Sequence, residues 1–261
     1  MKRLSILPSV HLCVLSLSFV AINLLLSQSA KAASFDLSFT SLAGTINVNP
    51  LNKASTGVYR ADLSRVGFDI TAIKLSDIIG IATGSPGKFS GFDLDAVKIS
   101  DRLITNAEDV KTLPGLDVFN FTPQQTIFSP GTKRDPGNSI YAHYFAGNDL
   151  FGSKDGEVDN SIATLGSFDA NAITDNTARG FLSLGEGGEI LFRLTQRIST
   201  ASPLYLYIGE VGNNGEQVRG QVTAIGTISS TTTVPEPASL GALSLIGLYL
   251  TRRIRKKKKI A

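Results

Sequence analysis

The sequence predicts an all-β protein, a single β-sandwich or jelly-roll-like domain over residues 33–228. The first observation is a series of short segments in which apolar and polar residues alternate, as in strands with one buried face. The second is that the connections are rich in Gly, Asn, Asp, Ser and Pro; the chain has 25 Gly and 10 Pro. Two packed sheets bury such alternating faces and limit open edges.

Ten segments carry this alternation and are predicted strands. They cover residues 34–40, 66–73, 92–99, 116–121, 139–145, 162–168, 180–184, 189–198, 204–211 and 217–228. A Gly-Asn-Asn-Gly turn at 212–215 joins the last two, and the Gly-rich stretch 184–189 is predicted to be a hairpin turn. A short helix is predicted at 76–81 or 106–113. The proline-rich region 123–137 is predicted to be a long loop.

The N-terminus has the three parts of a secretory signal peptide. Two cations precede a largely apolar run at 12–26, and a small-residue cleavage site formed by Ala30 and Ala32 follows. We predict cleavage by signal peptidase after Ala32, which makes 1–32 the signal peptide. An uncleaved membrane anchor is disfavoured, because the run is short and the cleavage site is well formed.

The charge is distributed unevenly along the chain. Of the 25 Lys and Arg residues, three lie in the first 32 residues and seven in the last ten; the 15 that remain in 33–251 face all 22 acidic residues, a net charge of −7. An acidic body lacks the clustered cations that nucleic-acid phosphates require, so no nucleic-acid partner is expected. The one cysteine, Cys13, lies in the leader. Disulfides and Cys-ligated zinc are therefore not expected in the exported protein.

One oxygen-rich stretch, residues 148–160, is the candidate metal site. Asp155, Glu157 and Asp159 are the ligands that we expect if this loop binds calcium. The order of the acids does not match an EF-hand loop, and Lys154 lies beside them. A polar loop without a metal is the favoured interpretation, so no cofactor is expected and calcium is the alternative.

Other candidate residues have a structural and a functional interpretation. Asp93 and Asp95 project from one face of a strand and are predicted to face solvent, with calcium binding as the alternative. Tyr205 and Tyr207 form either an exposed aromatic strip suited to sugars or ordinary strand packing. His143, in a strand-like aromatic segment, is predicted to be a hydrogen-bonded structural residue. With no second histidine after the leader and no G-x-S-x-G turn, no enzymatic activity is predicted. The two carboxylates of a glycosidase are brought together by the fold and not by their spacing in sequence. The sequence therefore neither identifies nor excludes such a pair.

The C-terminus has four parts in a fixed order. A hydroxyl-rich linker at 229–234 leads to the triplet Pro235, Glu236 and Pro237, and then to an uncharged apolar run at 238–250. The basic residues that follow are Arg252, Arg253, Arg255, Lys256, Lys257, Lys258 and Lys259. As a helix the apolar run spans about 20 Å, against a hydrocarbon core of roughly 30 Å. The basic cluster is suited to hold the cytoplasmic end of a short membrane helix, so we predict a transmembrane helix with the body outside.

Residues 235–261 resemble the PEP-CTERM sorting signal of exported bacterial proteins. The resemblance rests on VPEPASL at 234–240, the apolar run and the Arg/Lys tail. It implies recognition by an exosortase, a transient inner-membrane anchor, removal of the tail, and release or attachment at the cell surface. It also implies association with extracellular polysaccharide and biofilm matrix. Within the body, 91–97 and 208–212 resemble phrases in the β-rich bodies of other such proteins.

Sequence and resemblance together lead to one expected function and two alternatives. We expect a non-enzymatic surface or matrix protein with a structural or adhesive role. The first alternative is an extracellular carbohydrate-binding module, with or without calcium, that uses strand aromatics and the loop around Asp155. The second is an extracellular hydrolase.

Overall fold

Antiparallel β-strands make up most of the regular structure in the part of the chain that a computed structural model describes, residues 33–48, 55–80, 83–137, 142–171 and 177–224. The strands are β1 Ala33–Leu37, β2 Phe39–Ser41, β3 Thr56–Asp62, β4 Ile70–Asp77, β5 Asp93–Ser100, β6 Thr126–Ser129, β7 Ser153–Lys154, β8 Glu157–Val158, β9 Leu182–Ser183, β10 Glu189–Ile198, β11 Tyr205–Val211 and β12 Val218–Ala224. They pair antiparallel throughout. The predicted all-β class is confirmed.

Two five-stranded sheets share one hydrophobic core. The first sheet has the order β1-β12-β4-β10-β6 and the second has the order β2-β3-β11-β5-β9, while β7 and β8 form a two-stranded ribbon. Residues of both sheets belong to a single buried cluster: Ile73, Leu75, Ile190, Phe192 and Val222 from the first, and Leu94, Ile99, Leu206 and Ile208 from the second. The alternation of apolar and polar residues along these strands follows from burial of this shared face.

Three of the longer alternating segments are located correctly by sequence, whereas the predicted strand 66–73 is wrong in its bounds, because β4 begins and ends four residues later. β10 has the predicted bounds, and the ends of β5 and β11 lie within one residue of those predicted. The sequence does not predict β3 or β6, and β6 lies inside the predicted loop 123–137. β6 has only four residues, which is too few for an alternation to be recognised; its pairing with β10 is a tertiary contact.

Three predicted strands are wrong. The described end of 139–145 forms helix α1, Ala142–Phe145, in which His143 is exposed, so its predicted strand setting is also wrong. The segment 162–168 begins inside helix α2, Asn160–Ala163, and continues as turns. The segment 116–121 is a loop whose Phe119 and Phe121 pack against the core. Its apolar residues are buried without strand pairing, which alternation alone does not distinguish.

One of the two predicted short helices is present. The 3₁₀ helix Ala107–Lys111 lies within the predicted 106–113 and has Glu108 in its first turn. The alternative at 76–81 is wrong at its start, because β4 continues to Asp77 and pairs with β10 and β12. A second 3₁₀ helix, Gly87–Phe89, precedes β5.

Several connections pass from one sheet to the other. The predicted strand 34–40 is divided at Ser38, since β1 pairs with β12 in the first sheet and β2 pairs with β3 in the second. The turn at 212–215 joins β11 to β12, and the stretch 184–189 joins β9 to β10. Each links two sheets, so the prediction of a hairpin at 184–189 is wrong. Gly and Asn identify a turn but not which strands pair.

The β9–β10 and β11–β12 connections lie at one end of the two sheets. β4 and β11 end there while β5, β10 and β12 begin there, because antiparallel neighbours place the end of one strand beside the start of the next. Glu210 near the end of β11 lies opposite Leu94, and Asp77 at the end of β4 lies opposite Val218. The Asp77 carboxylate accepts a hydrogen bond from the backbone N–H of Phe92 at 2.9 Å, which joins the two sheets at this end.

Candidate functional site

The predicted metal loop forms a β-hairpin. β7 pairs with β8, with Lys154 opposite Glu157. The two residues between the strands, Asp155 and Gly156, have φ angles of 54° and 80°. Positive φ at both positions is the geometry of a tight two-residue hairpin turn, for which Asp-Gly is a favoured pair. Asp155 is thus a turn residue, and Glu157 is an exposed strand residue.

Asp159 caps the helix that follows this hairpin. Its carboxylate accepts hydrogen bonds from the backbone N–H of Ser161 at 3.1 Å and from the Ser161 hydroxyl. The three predicted ligands therefore have separate local roles in a turn, a strand and a helix cap. Among the residues that the structure describes, no three His, Cys, Asp or Glu side chains are grouped so that they could hold a metal ion. Calcium binding by this loop stays a prediction.

Tyr207 lies inside the protein. Its side chain is buried, and its hydroxyl donates to the carbonyl of Arg102 at 2.7 Å and accepts from the N–H of Ile104 at 3.0 Å. Tyr205 is half-buried beside it, with the two ring centroids 6.5 Å apart and the Arg60 guanidinium 6.0 Å from the Tyr205 ring. The interpretation as strand packing is correct, and the exposed aromatic strip is wrong.

Asp93 and Asp95 are buried, with 5% and 0% of their surface exposed. Leu94 between them faces the shared core, and the segment that contains Asp169 and Ala170 contacts Asp95. Asp95 Oδ1 accepts hydrogen bonds from the backbone N–H groups of both residues at 3.2 Å. Burial raises the pKa of Asp95 to about 8, although these two hydrogen bonds oppose the rise. The predicted solvent exposure is wrong, because loops cover a strand face that alternation assigns to water.

Five acidic side chains and one arginine meet at the end of the sheets where β4 and β11 end. We call the five acids the acidic cluster: Asp77, Asp93, Glu186, Glu210 and Glu216. They come from the end of β4, the start of β5, the β9–β10 connection, the end of β11 and the β11–β12 connection. Arg134, which follows β6, supplies the positive charge. Arg134 pairs with two of the five carboxyl groups, those of Glu186 and Glu216.

Arg134 joins the loops around the acidic cluster. Its Nε lies 2.8 Å from Oε1 of Glu186, and its Nη2 lies 3.1 Å from Oε1 of Glu216. Nη2 also donates to the carbonyl of Ser85 at 3.0 Å, and the backbone N–H of Arg134 donates to the Ser90 hydroxyl at 2.8 Å. One residue therefore connects the loop before β5, the loop after β6 and the two connections that carry Glu186 and Glu216.

Glu210 is the most deeply buried member of the acidic cluster. Its side chain is 0% exposed, and neither carboxyl oxygen has a hydrogen-bond partner within the described ranges. Burial, together with the nearby charge of Glu216, raises the pKa of Glu210 to about 9. The backbone N–H groups of Asn213 and Asn214 oppose this rise without reaching hydrogen-bonding geometry. The charge of Glu210 in turn adds to the effect of burial and raises the pKa of the Tyr59 hydroxyl.

Glu216 has one oxygen paired and one unpaired. Oε1 meets Arg134, whereas Oε2 has no hydrogen-bond partner in the described part of the chain. Burial raises the pKa of Glu216 to about 9; the charge of Asp93 adds to the rise, and Arg134 opposes it. The carboxyl group rests on the backbone at Gly84, where a Cβ would lie 1.6 Å from Oε1. Only glycine leaves room for Glu216 here.

The two aspartates of the acidic cluster differ in the hydrogen bonds that their carboxyl oxygens accept. Both oxygens of Asp77 accept backbone hydrogen bonds at 2.9 Å, from the N–H groups of Phe92 and Gly187. Asp93 accepts from the Ser183 hydroxyl, yet burial raises its pKa well above the usual range. Asp77 is therefore a structural link between loops, whereas Asp93 shares the unfavourable setting of the two glutamates.

This arrangement favours the binding of protons. Carboxylates that are buried and close to one another repel and are poorly solvated, so the neutral acid is the favoured form. Of the cluster members, Asp77 lines one cavity and Glu216 lines another. The two carboxyl groups of a glycosidase, in contrast, flank one glycosidic bond within a single cleft.

The cavity beside Asp77 has a volume of about 540 Å³ and lies over the outer face of the first sheet. Lys74 and Ser76 alternate with the core residue Leu75, so they face away from the shared core. The polar residues of its lining are Asp36, Lys74, Ser76, Asp77, Glu189, Arg219 and Gln221. The Lys74 ammonium lies 3.1 Å from the Glu189 carboxylate, so the lining of the cavity contains hydrogen-bond donors and acceptors that pair with each other.

Sequence reasoning missed the acidic cluster, although Glu210 carries a recognisable signal. In LYLYIGEV at 204–211, Glu210 occupies the alternating position that Leu206 and Ile208 define as inward-facing. An acid at a core position is unusual enough to indicate a special site. Arg134 lies in a predicted loop, and its neighbours in sequence do not indicate its contact with Glu216.

Comparison of the chain with protein-family models, curated proteins and solved structures gave no match. Within the described residues, no helix has the length and apolar character needed to cross a membrane. The predicted signal peptide, linker, sorting triplet, transmembrane helix and basic tail all lie outside the described residues.

Proposed function

We propose that the chain is an exported bacterial surface or matrix protein that an exosortase sorts and processes, with a non-enzymatic structural or adhesive role. The observation that carries the proposal is the order of parts at the two ends of the sequence. A signal peptide with cleavage after Ala32 begins the chain, and the Pro235–Pro237 triplet, an apolar run and a basic tail end it. Both ends direct the body to the outer side of the membrane.

The finer fold class that we propose is a β-sandwich with jelly-roll-like connections. Its support is the hydrophobic cluster that the two five-stranded sheets share and the connections that pass between the sheets. A body of this kind offers two outer sheet faces and two loop-bearing ends for contacts, which suits a structural or adhesive role.

The sorting proposal is tested by replacing Pro235, Glu236 and Pro237 with alanine in the full chain. We expect the variant to remain full-length in the inner-membrane fraction, while the wild type is shortened and reaches the surface or medium. Replacing Ser229 and Ser230 in the adjacent linker is the matched control, and processing should be unchanged. If the triple variant is processed and released like the wild type, the exosortase assignment is wrong.

Intact-mass measurement of the exported protein tests both ends at once. We expect an N-terminus at Ala33 and the loss of the basic tail. A mass that retains the first 32 residues would contradict the signal-peptide prediction, and a mass that retains the tail would contradict exosortase processing.

A second candidate function is carbohydrate binding, and the polar cavity over the first sheet favours it. Paired donors and acceptors such as Lys74 and Glu189 suit the hydroxyl groups of a neutral saccharide. Glycan-array binding should fall at least tenfold in Arg219→Ala or Gln221→Ala and be unchanged in Lys154→Ala, whose side chain lies on the β7–β8 ribbon. Wild-type protein that binds no glycan with or without calcium removes this candidate.

A further inference from the structure

The acidic cluster contains three buried carboxyl oxygens that no hydrogen bond satisfies within the described chain: both oxygens of Glu210 and Oε2 of Glu216. Glu210 is 0% exposed and Glu216 is 4% exposed, so water does not solvate these oxygens from outside. A carboxylate in that position loses its hydration and gains no protein donor in return. A bound proton removes the charge and with it most of this cost.

We propose that the acidic cluster is a proton-binding site that holds the surrounding loops closed while its carboxyl groups are protonated and loosens them when they ionise. The site lies in the described body, so its behaviour does not depend on the route of export.

The titratable and charged groups that act on Glu210 and Glu216 come from five segments of the described chain. They are Tyr59 from β3, Asp77 from β4, Asp93 from β5, Arg134 from the loop after β6, and Glu186 from the β9–β10 connection. Arg134 directs its two ion pairs to Glu186 and Glu216. Glu210 is left among Glu216, Asp93 and the Tyr59 hydroxyl, and no ion pair within the described residues offsets a negative charge on it.

The segment that such charges would displace is the β11–β12 connection. Its Gly212 and Gly215 have φ angles of 111° and 90°, and the N–H of Glu216 is bonded locally, to Asn214 Oδ1 at 3.2 Å. The Glu216 side chain binds this connection to the neighbouring loops through Arg134 and through its contact with Gly84. Backbone hydrogen bonds hold the two ends of this connection, from the N–H of Gly212 to the Ser55 carbonyl at 2.9 Å and from the N–H of Ile78 to the Gln217 carbonyl at 3.1 Å. Repulsion between ionised Glu210 and Glu216 therefore acts on the glycine-containing segment between these ends, where Arg134 contacts the Glu216 side chain.

The sign of the pH dependence follows from the direction of the pKa shifts. The folded state holds protons that the unfolded state releases at its ordinary carboxyl pKa, while Glu210 and Glu216 in the folded state release them near 9. The stabilisation that these two protons provide is therefore fully present below the ordinary carboxyl pKa. It is lost as pH rises from that value to about 9. Each proton held by the folded state alone raises the unfolding equilibrium constant about tenfold per pH unit.

The test is urea unfolding of the full chain between pH 5.5 and 9.5, with Glu210→Gln, Glu216→Gln and Glu189→Gln as variants. Glutamine mimics the protonated acid, so each of the first two variants should reduce the pH slope of the unfolding constant by about one proton, or tenfold per pH unit. Glu189 is the control, because the Ser76 hydroxyl and Lys74 hold its pKa below the usual value. Its glutamine variant should keep the wild-type slope.

Hydrogen exchange of the wild type at pH 6 and pH 9, corrected for the intrinsic rate, reports the loops directly. We expect backbone amides in 83–90 and 212–217 to lose at least tenfold protection at pH 9, and Glu216→Gln to retain it even if Glu210→Gln does not fold. A wild-type stability that is flat from pH 6 to 9, or a wild-type slope retained in both Glu210→Gln and Glu216→Gln, overturns the proposal. So does a gain in stability at pH 8.5 from Ca²⁺ that Glu210→Gln abolishes, since the cluster would then bind a metal cation instead of protons.

Discussion

Two groups of acidic residues in this protein resemble each other in sequence and differ in structure. Asp155, Glu157 and Asp159 lie close together along the chain on an exposed hairpin, where the turn and the helix cap use two of them. Glu210 and Glu216 lie on either side of a turn, yet both are buried and carry oxygens without hydrogen-bond partners in the described chain. The density of acids along a sequence therefore identifies polar loops, whereas burial and missing partners identify the acids with unusual chemistry.

The comparison predicts its largest effect at Arg134. Arg134→Met should lower the free energy of unfolding at pH 7 by about 3–5 kcal/mol, because Glu186 loses its ion pair and the Glu216 carboxyl and the Ser85 carbonyl both lose a buried donor. The matched control is Lys74→Met, which breaks the half-exposed pair with Glu189 and should cost about 0–1 kcal/mol. Equal losses in the two variants, measured by urea unfolding, would mean that burial does not distinguish these charges.

The next effect is expected at Asp95, which is buried outside the acidic cluster. Asp95→Ala should lower the free energy of unfolding by about 2–3 kcal/mol, because the N–H groups of Asp169 and Ala170 lose their acceptor. Asp95→Asn keeps an acceptor and should stay within about 1 kcal/mol of the wild type at pH 7. If both substitutions cost the same, these hydrogen bonds do not hold the covering loop.

A smaller effect separates two glycines with similar backbone angles. Gly84 and Gly44 have φ angles of 80° and 77°, but an added Cβ meets Glu216 at the first and, among the described residues, nothing within 4 Å at the second. Gly44→Ala measures the backbone strain alone, about 1 kcal/mol. Gly84→Ala should cost about 1–2 kcal/mol more in thermal or urea unfolding, because Glu216 must move away from Arg134. Identical costs would show that Glu216 is free to move.

The smallest effect is expected at the exposed hairpin. Asp159→Ala should cost about 0.5–1 kcal/mol through the lost helix cap, while Asp159→Asn, which also caps helices, should be nearly neutral.

The same two variants test the predicted binding of calcium by this loop, since the asparagine variant weakens a predicted ligand but keeps the cap. A rise in melting temperature with Ca²⁺ in the wild type that Asp159→Asn removes would support the predicted metal loop.

The all-β class could be predicted because alternation reports burial on one face. β10 has this pattern over its full length, and its bounds agree with the sequence. The pattern fails where an apolar residue is buried from a loop, as at Phe119 and Phe121, or where a strand such as β6 is too short to alternate. Neither case is a matter of local sequence, because packing of distant segments decides both.

The acidic cluster could be predicted only in part. Glu210 takes an inward position in an alternating strand, which the sequence shows. Asp93 also alternates, but outward by pattern, and only its neighbours in the folded structure bury it. The contacts of Arg134 with Glu186 and Glu216 join segments about 50 and 80 residues away along the chain, and a single sequence contains no record of such contacts.

The ionisation of Glu210 and Glu216 in the folded protein tests the central claim most directly. Carbon-13 NMR of side-chain carboxyl groups in glutamate-labelled protein, assigned with the two glutamine variants, follows each acid as a function of pH. The structure predicts that both carboxyl signals keep the chemical shift of the protonated acid at pH 7 and change only as pH approaches about 9. Signals that have already reached the carboxylate shift at pH 6 would contradict the account.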